Sequence, residues 1–197
     1  SLVGAGQAIT IINTTYVGSA YIGSIYLNTA AGEPVNGNQS ISYLTLNGVA
    51  ATTQRAIMVN FRNNVVVLHC TVQNFLYSGL SFRAHVGTYD TEPVNSPATG
   101  NKVYDCIITN ASGFGSGFSG NIRIEGQDGF LCYNNHIEQT GKAAGNNANN
   151  ISGFRMSGSK IYNNTLVKPE TQGGGWNFQY EMHYNQGGNE IYNNTCT

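Results

Sequence analysis

The sequence predicts an all-β fold, a parallel β-helix, on three observations. A short phrase, Ile161-Tyr162-Asn163-Asn164-Thr165-Leu166, returns almost unchanged as Ile191-Tyr192-Asn193-Asn194-Thr195-Cys196, and looser copies start at Cys132, Val103, Val67, Ile41 and Ile11. Keyed by residues 13, 43, 69, 105, 134, 163 and 193, the phrase recurs about every 30 residues, which is the signature of a solenoid of stacked units. A second short strand precedes each copy, so every turn supplies at least two strands. Finally, the chain holds 25 glycines and only 10% charged residues, and no stretch repeats apolar residues at helical spacing.

Taken in order, Leu2-Val3 and Ile9–Asn13 read as strands about a glycine turn, and Tyr21–Asn28 as the next. A Gly/Pro/Asn loop then leads to the phrase at Ile41. The strand before each phrase aligns as Ile25-Tyr26-Leu27, Ile57-Met58-Val59, Leu80-Ser81-Phe82, Ile122-Arg123-Ile124, Phe154-Arg155-Met156 and Phe178-Gln179-Tyr180. Alternation puts the first and third members inside and the middle one outside. A third strand after the phrase, as in Thr71-Val72-Gln73 or Ile107-Ile108-Thr109, closes the coil. Three strands per turn give about six to seven coils in three short parallel sheets. Gly/Asn/Pro/Ser-rich loops at 86–100, 111–120, 141–150 and 168–175 absorb the variable spacing. The repeat runs nearly end to end, so residues 1–197 form one domain.

A formal net charge of -1 offers no basic field for nucleic acid or an anionic membrane, and no apolar run is long enough to be a spanning helix. Six Asn-x-Ser/Thr sequons begin at Asn13, Asn38, Asn110, Asn150, Asn163 and Asn193. They fit a secreted glycoprotein, but three coincide with the phrase and would point into a packed turn.

The run Asn64–Phe75 with the preceding Arg55-Ala56-Ile57-Met58-Val59, and Leu2–Gly6, resemble the right-handed parallel β-helix of the pectin-lyase-like superfamily. That resemblance implies a right-handed coil and a ladder of stacked amides carried by Asn13, Asn134, Asn163 and Asn193. Asn tolerates the left-handed conformation, and its amide donates to one neighbour while accepting from the other. Tyr43, His69 and Asp105 interrupt the column, as polar replacements or as a His69–Asp105 pair with chemistry of its own. Cys70 and Cys106 fall on adjacent coils, at a spacing compatible with a disulfide or with two buried thiols.

The outward column of the strand before the phrase reads Tyr26, Met58, Ser81, Arg123, Arg155, Gln179. The next reads Asn28, Asn60, Arg83, Glu125, Ser157, Glu181, followed by Arg62, His85, Gln127, Ser159 and His183. A polar ribbon of this kind suits an extended chain of sugars, bound by Tyr26, Asn60, His85, Gln179 and His183, with Trp176 available for stacking. The resemblance implies a lyase of acidic polysaccharides in which Arg83, Arg123 and Arg155 act as base or carboxylate clamp. It also implies Ca²⁺ held by Glu125, Asp128 and Glu181. Surface ion pairs are the competing account of the same residues. The paired aspartates and Gly-His-Gly of polygalacturonases and the Trp-Ile-Asp-His and Arg-x-Pro motifs of pectate lyases are missing.

The leading expectation is a secreted, extracellular, polysaccharide-directed protein, most concretely that lyase. The other is structural. Ser1-Leu2-Val3 opens on a coil's first strand and Thr195-Cys196 stops at its third. Uncapped coils imply a fragment of a longer β-helix, or subunits stacking end to end in a fibre, tailspike or adhesin shaft. A threonine column at 15, 45, 71, 165 and 195 would suit an ice-binding face, although Ile107 and His136 interrupt it.

Overall fold

In the computed structural model the chain is a right-handed parallel β-helix, described over residues 1–15, 22–29, 33–49, 54–84, 96–111, 120–140, 149–168, 177–181 and 187–197. Each turn runs through three sheets. Sheet A stacks Leu2–Val3, Ser40–Ser42, Val66–Leu68, Lys102–Tyr104, Leu131–Tyr133, Lys160–Tyr162 and Glu190–Tyr192. Sheet B stacks Ile11–Thr14, Thr45–Gly48, Thr71–Gln73, Ile107–Thr109, His136–Glu138, Thr165–Val167 and Thr195–Cys196. Sheet C stacks Ile25–Asn28, Arg55–Asn60, Ser78–Arg83, Gly120–Asp128, Asn149–Ser157 and Phe178–Glu181, with Ala98–Thr99 beside the end of Gly120–Asp128. Every rung is parallel, so each apolar residue sits over its counterpart one coil away.

The core follows from that stacking. Sheet A sends in Ile41, Val67, Val103, Cys132 and Ile161, and sheet B sends in Leu46, Val72, Ile108, Ile137 and Leu166. Sheet C adds Ile57, Val59, Leu80, Phe82, Ile122, Ile124 and Ile151. Phe82 meets Phe130 edge-on at 4.9 Å between centroids.

Sheets A and B are joined by two-residue corners whose first member is left-handed: Tyr43 (φ 58°), His69 (48°), Asp105 (53°), Asn134 (57°), Asn163 (55°) and Asn193 (53°). The phrase thus sets the corner, as expected. The buried amide ladder, however, lies one residue later. Asn134, Asn163 and Asn193 are exposed, whereas Asn135 and Asn164 are buried and turn inward above Asn194. The Asn135 Nδ2 donates to Asn164 Oδ1 at 2.9 Å, and the Asn164 Nδ2 to Asn194 Oδ1 at 2.9 Å. Each Oδ1 also accepts the backbone N–H of the preceding coil's corner, from Cys106, Asn135 and Asn164 in turn, at 3.0 Å. A left-handed first residue points its side chain out and rotates the second into the core, which is why the second carries the ladder.

Asn13 belongs to neither column. Leu2 pairs with Ile41 and Ile11 with Thr45, so Asn13 stands over Asn47 in sheet B, where the Asn47 Nδ2 donates to Asn13 Oδ1 at 3.0 Å. The same register replaces Thr15 by Ile11 at the head of the threonine column. A second internal amide ladder, Asn121–Asn150–Asn177, guards the entry into sheet C, with Nδ2-to-Oδ1 steps of 2.9 and 2.7 Å.

Candidate functional site

Sheet C carries the ribbon, and its register decides which side chains meet. Tyr26, Met58, Ser81 and Arg123 share a column as expected, but Ile122 pairs with Ile151, so Arg123 is followed by Ser152 and then Gln179. Arg155 is therefore not Arg123's neighbour in that column. It is left-handed (φ 54°), matches Gly126 (φ 65°) by register, and is buried. The alternation breaks at this kink: Phe154 faces outward and Met156 joins the core, although they are two apart. Treating Phe154-Arg155-Met156 as an unbroken strand misplaces the rung by three residues. The next column becomes Asn28, Asn60, Arg83, Glu125, Phe154, Glu181, with Phe154 in place of Ser157.

The ribbon is covered rather than open. Met58 is 2% exposed, Ser81 1%, Arg123 7% and Glu125 0%. Glu125 is the electrostatic centre. Its Oε2 takes hydrogen bonds from Arg123 Nη2 at 2.9 Å and Nε at 3.1 Å, and its Oε1 lies 3.5 Å from Arg83 Nε. A fully buried carboxylate persists only when its charge is matched, and the two guanidiniums do that. The Arg123 guanidinium also lies 5.3 Å from the Phe154 ring centroid. Arg55, which the alternation argument passed over because it precedes the aligned triplet, donates from Nη1 to Ser81 Oγ at 3.1 Å and to Ser78 Oγ at 3.3 Å. Arg55, Arg83 and Arg123 thus line one shallow recess with Met58, Ser81 and Glu125.

The other expected residues scatter. Tyr26 is partly exposed at one end of its column, and the Asn60 Nδ2 donates to Asn28 Oδ1 at 2.7 Å. Gln179 and Glu181 are placed by backbone register only, Glu181 two rungs from Glu125. His85, Trp176 and His183 lie outside the described residues. Two of the three donors that the resemblance assigns to Ca²⁺ are engaged elsewhere. Glu125 is clasped by two arginines, Asp128 accepts the Ser157 hydroxyl at 2.8 Å, and among the described residues no three His, Cys, Asp or Glu converge. No step is derived through a metal.

At the sheet A corner, His69 Nε2 stands 4.0 Å from Asp105 Oδ2, and His69 stacks on Tyr43 at 4.8 Å. Cys70 and Cys106 occupy the inward corner position on adjacent coils as free thiols. The Cys106 thiol holds Cys70 below its ordinary value, while the Cys70 contact and burial raise Cys106 well above it. Burial pushes Cys132 up to about 12.

Fold and site together define a parallel β-solenoid with internal asparagine ladders and an arginine-rich, largely buried polar face. Comparison with protein-family models, curated proteins and solved structures finds no match to the chain.

Proposed function

We propose that the protein is a secreted, polysaccharide-directed β-helix of the pectin-lyase-like type, which takes acidic glycans at sheet C and whose most concrete activity is their eliminative cleavage. One observation carries the reading. Three of the chain's nine basic residues, Arg55, Arg83 and Arg123, come from three consecutive strands to a single recess that has one carboxylate among its lining residues. In a chain with 10% charged residues, this is a concentrated demand for an anion, and guanidinium matches carboxylate bidentately. The burial limits what can enter. The recess is filled by its own side chains, so a uronate carboxylate is met at its rim, at Arg83, rather than by a chain lying flat along it.

Arg123, held by Glu125, serves as a carboxylate clamp; Arg83, the more exposed guanidinium, is the one an incoming anion meets first. The test incubates the protein with uronate polysaccharides, following unsaturated product by absorbance and binding by affinity electrophoresis. Binding to at least one polymer that weakens in Arg83→Gln supports the recess, and unsaturated product supports the lyase. Neither binding nor product with any polymer, or binding indifferent to Arg83→Gln, overturns the reading.

A further inference from the structure

On the opposite side of the phrase, the outer edge of sheet A carries a regular array that the sheet C reading does not use. Tyr104, Tyr133, Tyr162 and Tyr192 stack ring on ring, with centroid separations of 4.9, 5.1 and 5.1 Å and interplanar angles of 4°, 7° and 2°. Register alone explains the alignment, since all four are the last residues of consecutive sheet A strands. Stacking covers the ring faces and leaves the edges at the surface. Beside each of Tyr133, Tyr162 and Tyr192 stands an exposed left-handed Asn, namely Asn134, Asn163 and Asn193. Each of these rungs therefore presents one phenol, which donates and accepts, and one carboxamide, which does both.

The charges around this ridge balance. Lys102 and Lys160 lie on the column two residues before the tyrosines; Lys160 Nζ is 3.2 Å from Glu190 Oε2, and Asp105, at the corner beside Tyr104, offsets the charge of Lys102. The ridge therefore lacks the cationic excess of the sheet C recess, and its occupant is neutral. It is also periodic: one binding unit per rung, along a straight axis. A flat β-1,4-linked sugar chain has that form, because its pyranoses follow one another along a straight axis at a spacing comparable to one rung, alternate residues turned over, and display hydroxyls along both edges. Stacked rings have little rotamer freedom left to lose on binding, and successive rungs add up along one ligand.

From these observations we infer that the Tyr104–Tyr133–Tyr162–Tyr192 ridge with Asn134, Asn163 and Asn193 is a binding face for a neutral, extended β-1,4-linked polysaccharide. The face is separate from sheet C and independent of whether the recess there takes uronates. It would hold the protein on an insoluble polymer by contacts that involve no chemistry.

Depletion from solution by microcrystalline cellulose and by chitin tests it, with alginate beads as the acidic arm and soluble cello- and chito-oligosaccharides as competitors. The informative variant is Tyr133→Phe/Tyr162→Phe, which keeps the stack and removes two hydroxyls. The expected result is depletion by cellulose or chitin, reversed by the matching oligosaccharide, weakened at least tenfold in the Phe double variant at unchanged melting temperature, and untouched by Arg83→Gln. Whichever polymer is bound identifies the substituent the ridge accepts. Absence of depletion by both neutral polymers, retention on alginate alone, or a Phe double variant that binds like the parent overturns the inference. A purely structural stack would leave binding unchanged in the Phe variant, so the two roles separate.

Discussion

Asn164 and its neighbour Asn163 give the sharpest test of how the coil corner works, because they are adjacent, identical in type and opposite in role. Asn164 is 1% exposed, and its side chain makes four hydrogen bonds with nitrogen and oxygen partners besides a weak one from Cys132 Sγ at 3.9 Å. Its Oδ1 accepts from Asn135 N at 3.0 Å and Asn135 Nδ2 at 2.9 Å, and its Nδ2 donates to Cys132 O at 3.1 Å and Asn194 Oδ1 at 2.9 Å. Asn164→Ala removes all four. At about 1 kcal/mol net for each, and with the abandoned groups shut away from water, the loss is about 4 kcal/mol. Asn163 is exposed, and its task is to hold φ at 55°. Asn163→Ala should cost about 1 kcal/mol, the left-handed penalty of an ordinary residue. Asn163→Gly should cost nearly nothing. Urea titration followed by far-UV circular dichroism reads the difference as midpoints at constant slope. Equal losses in Asn163→Ala and Asn164→Ala would refute the inward-second-residue account of the ladder.

Glu125→Ala should cost about 3–5 kcal/mol in the same titration, since it leaves two guanidiniums without their carboxylate in a buried setting; a loss under about 1 kcal/mol would mean that the pair is solvated. Cys132 makes stability fall in alkali: its folded value is raised, so the unfolded chain gives up the proton first, and stability present below about pH 8.5 drains away as pH climbs towards about 12. By pH 10 this amounts to roughly 1–2 kcal/mol, and Cys132→Val should flatten that limb; Tyr133, raised mainly by desolvation, leaves a residual slope. An unchanged alkaline limb in Cys132→Val would remove Cys132 as the cause.

What could be seen in the sequence was what repeats with a fixed meaning. The phrase located each corner between sheets A and B from Tyr43 onward, because a left-handed corner has few solutions and Asn is the common one. The interior alternation of Ile57-Met58-Val59, Leu80-Ser81-Phe82 and Ile122-Arg123-Ile124 was equally plain. The rung after Arg123 was not, because Arg155 takes the left-handed conformation and its neighbours swap faces around it. A pattern argument assumes that period 2 persists, and a single residue with positive φ ends it. Asn13 failed for a different reason: Ile11-Ile12-Asn13 resembles the phrase by composition, whereas pairing assigns the phrase position to Leu2-Val3-Gly4. That the arginines would be buried was beyond reach, since outward from the sheet is not outward from the protein. Arg55 would have been found by asking which arginine precedes the strand on the coil before Arg83. The second ladder left a trace in Asn121-Ile122, Asn150-Ile151 and Asn177-Phe178, each an Asn ahead of an inward apolar residue.

The place where the first ladder stops is informative about what the amide supplies. Its side chains donate to a row of carbonyls, Val103, Cys132 and Ile161, one coil back. The row continues as Val67 and Ile41, and there the donors are thiols: Cys106 Sγ to Val67 O at 3.8 Å and Cys70 Sγ to Ile41 O at 3.6 Å. Cysteine therefore does half the work of asparagine, a weak donation upward, without the strong acceptor that asparagine turns toward the preceding corner's N–H. Cys106→Asn should extend the ladder by one rung, with Oδ1 aimed at Cys70 N and Nδ2 shared between Val67 O and Asn135 Oδ1. Regaining two such bonds is worth about 1–2 kcal/mol, set against the small volume increase at a site with 1% exposure. The urea midpoint should rise while Cys70 remains a free thiol by thiol titration. A lower midpoint would show that the coil at Cys106 is too narrow for an amide, and that the cysteines stand there for their size rather than as partial substitutes for asparagine.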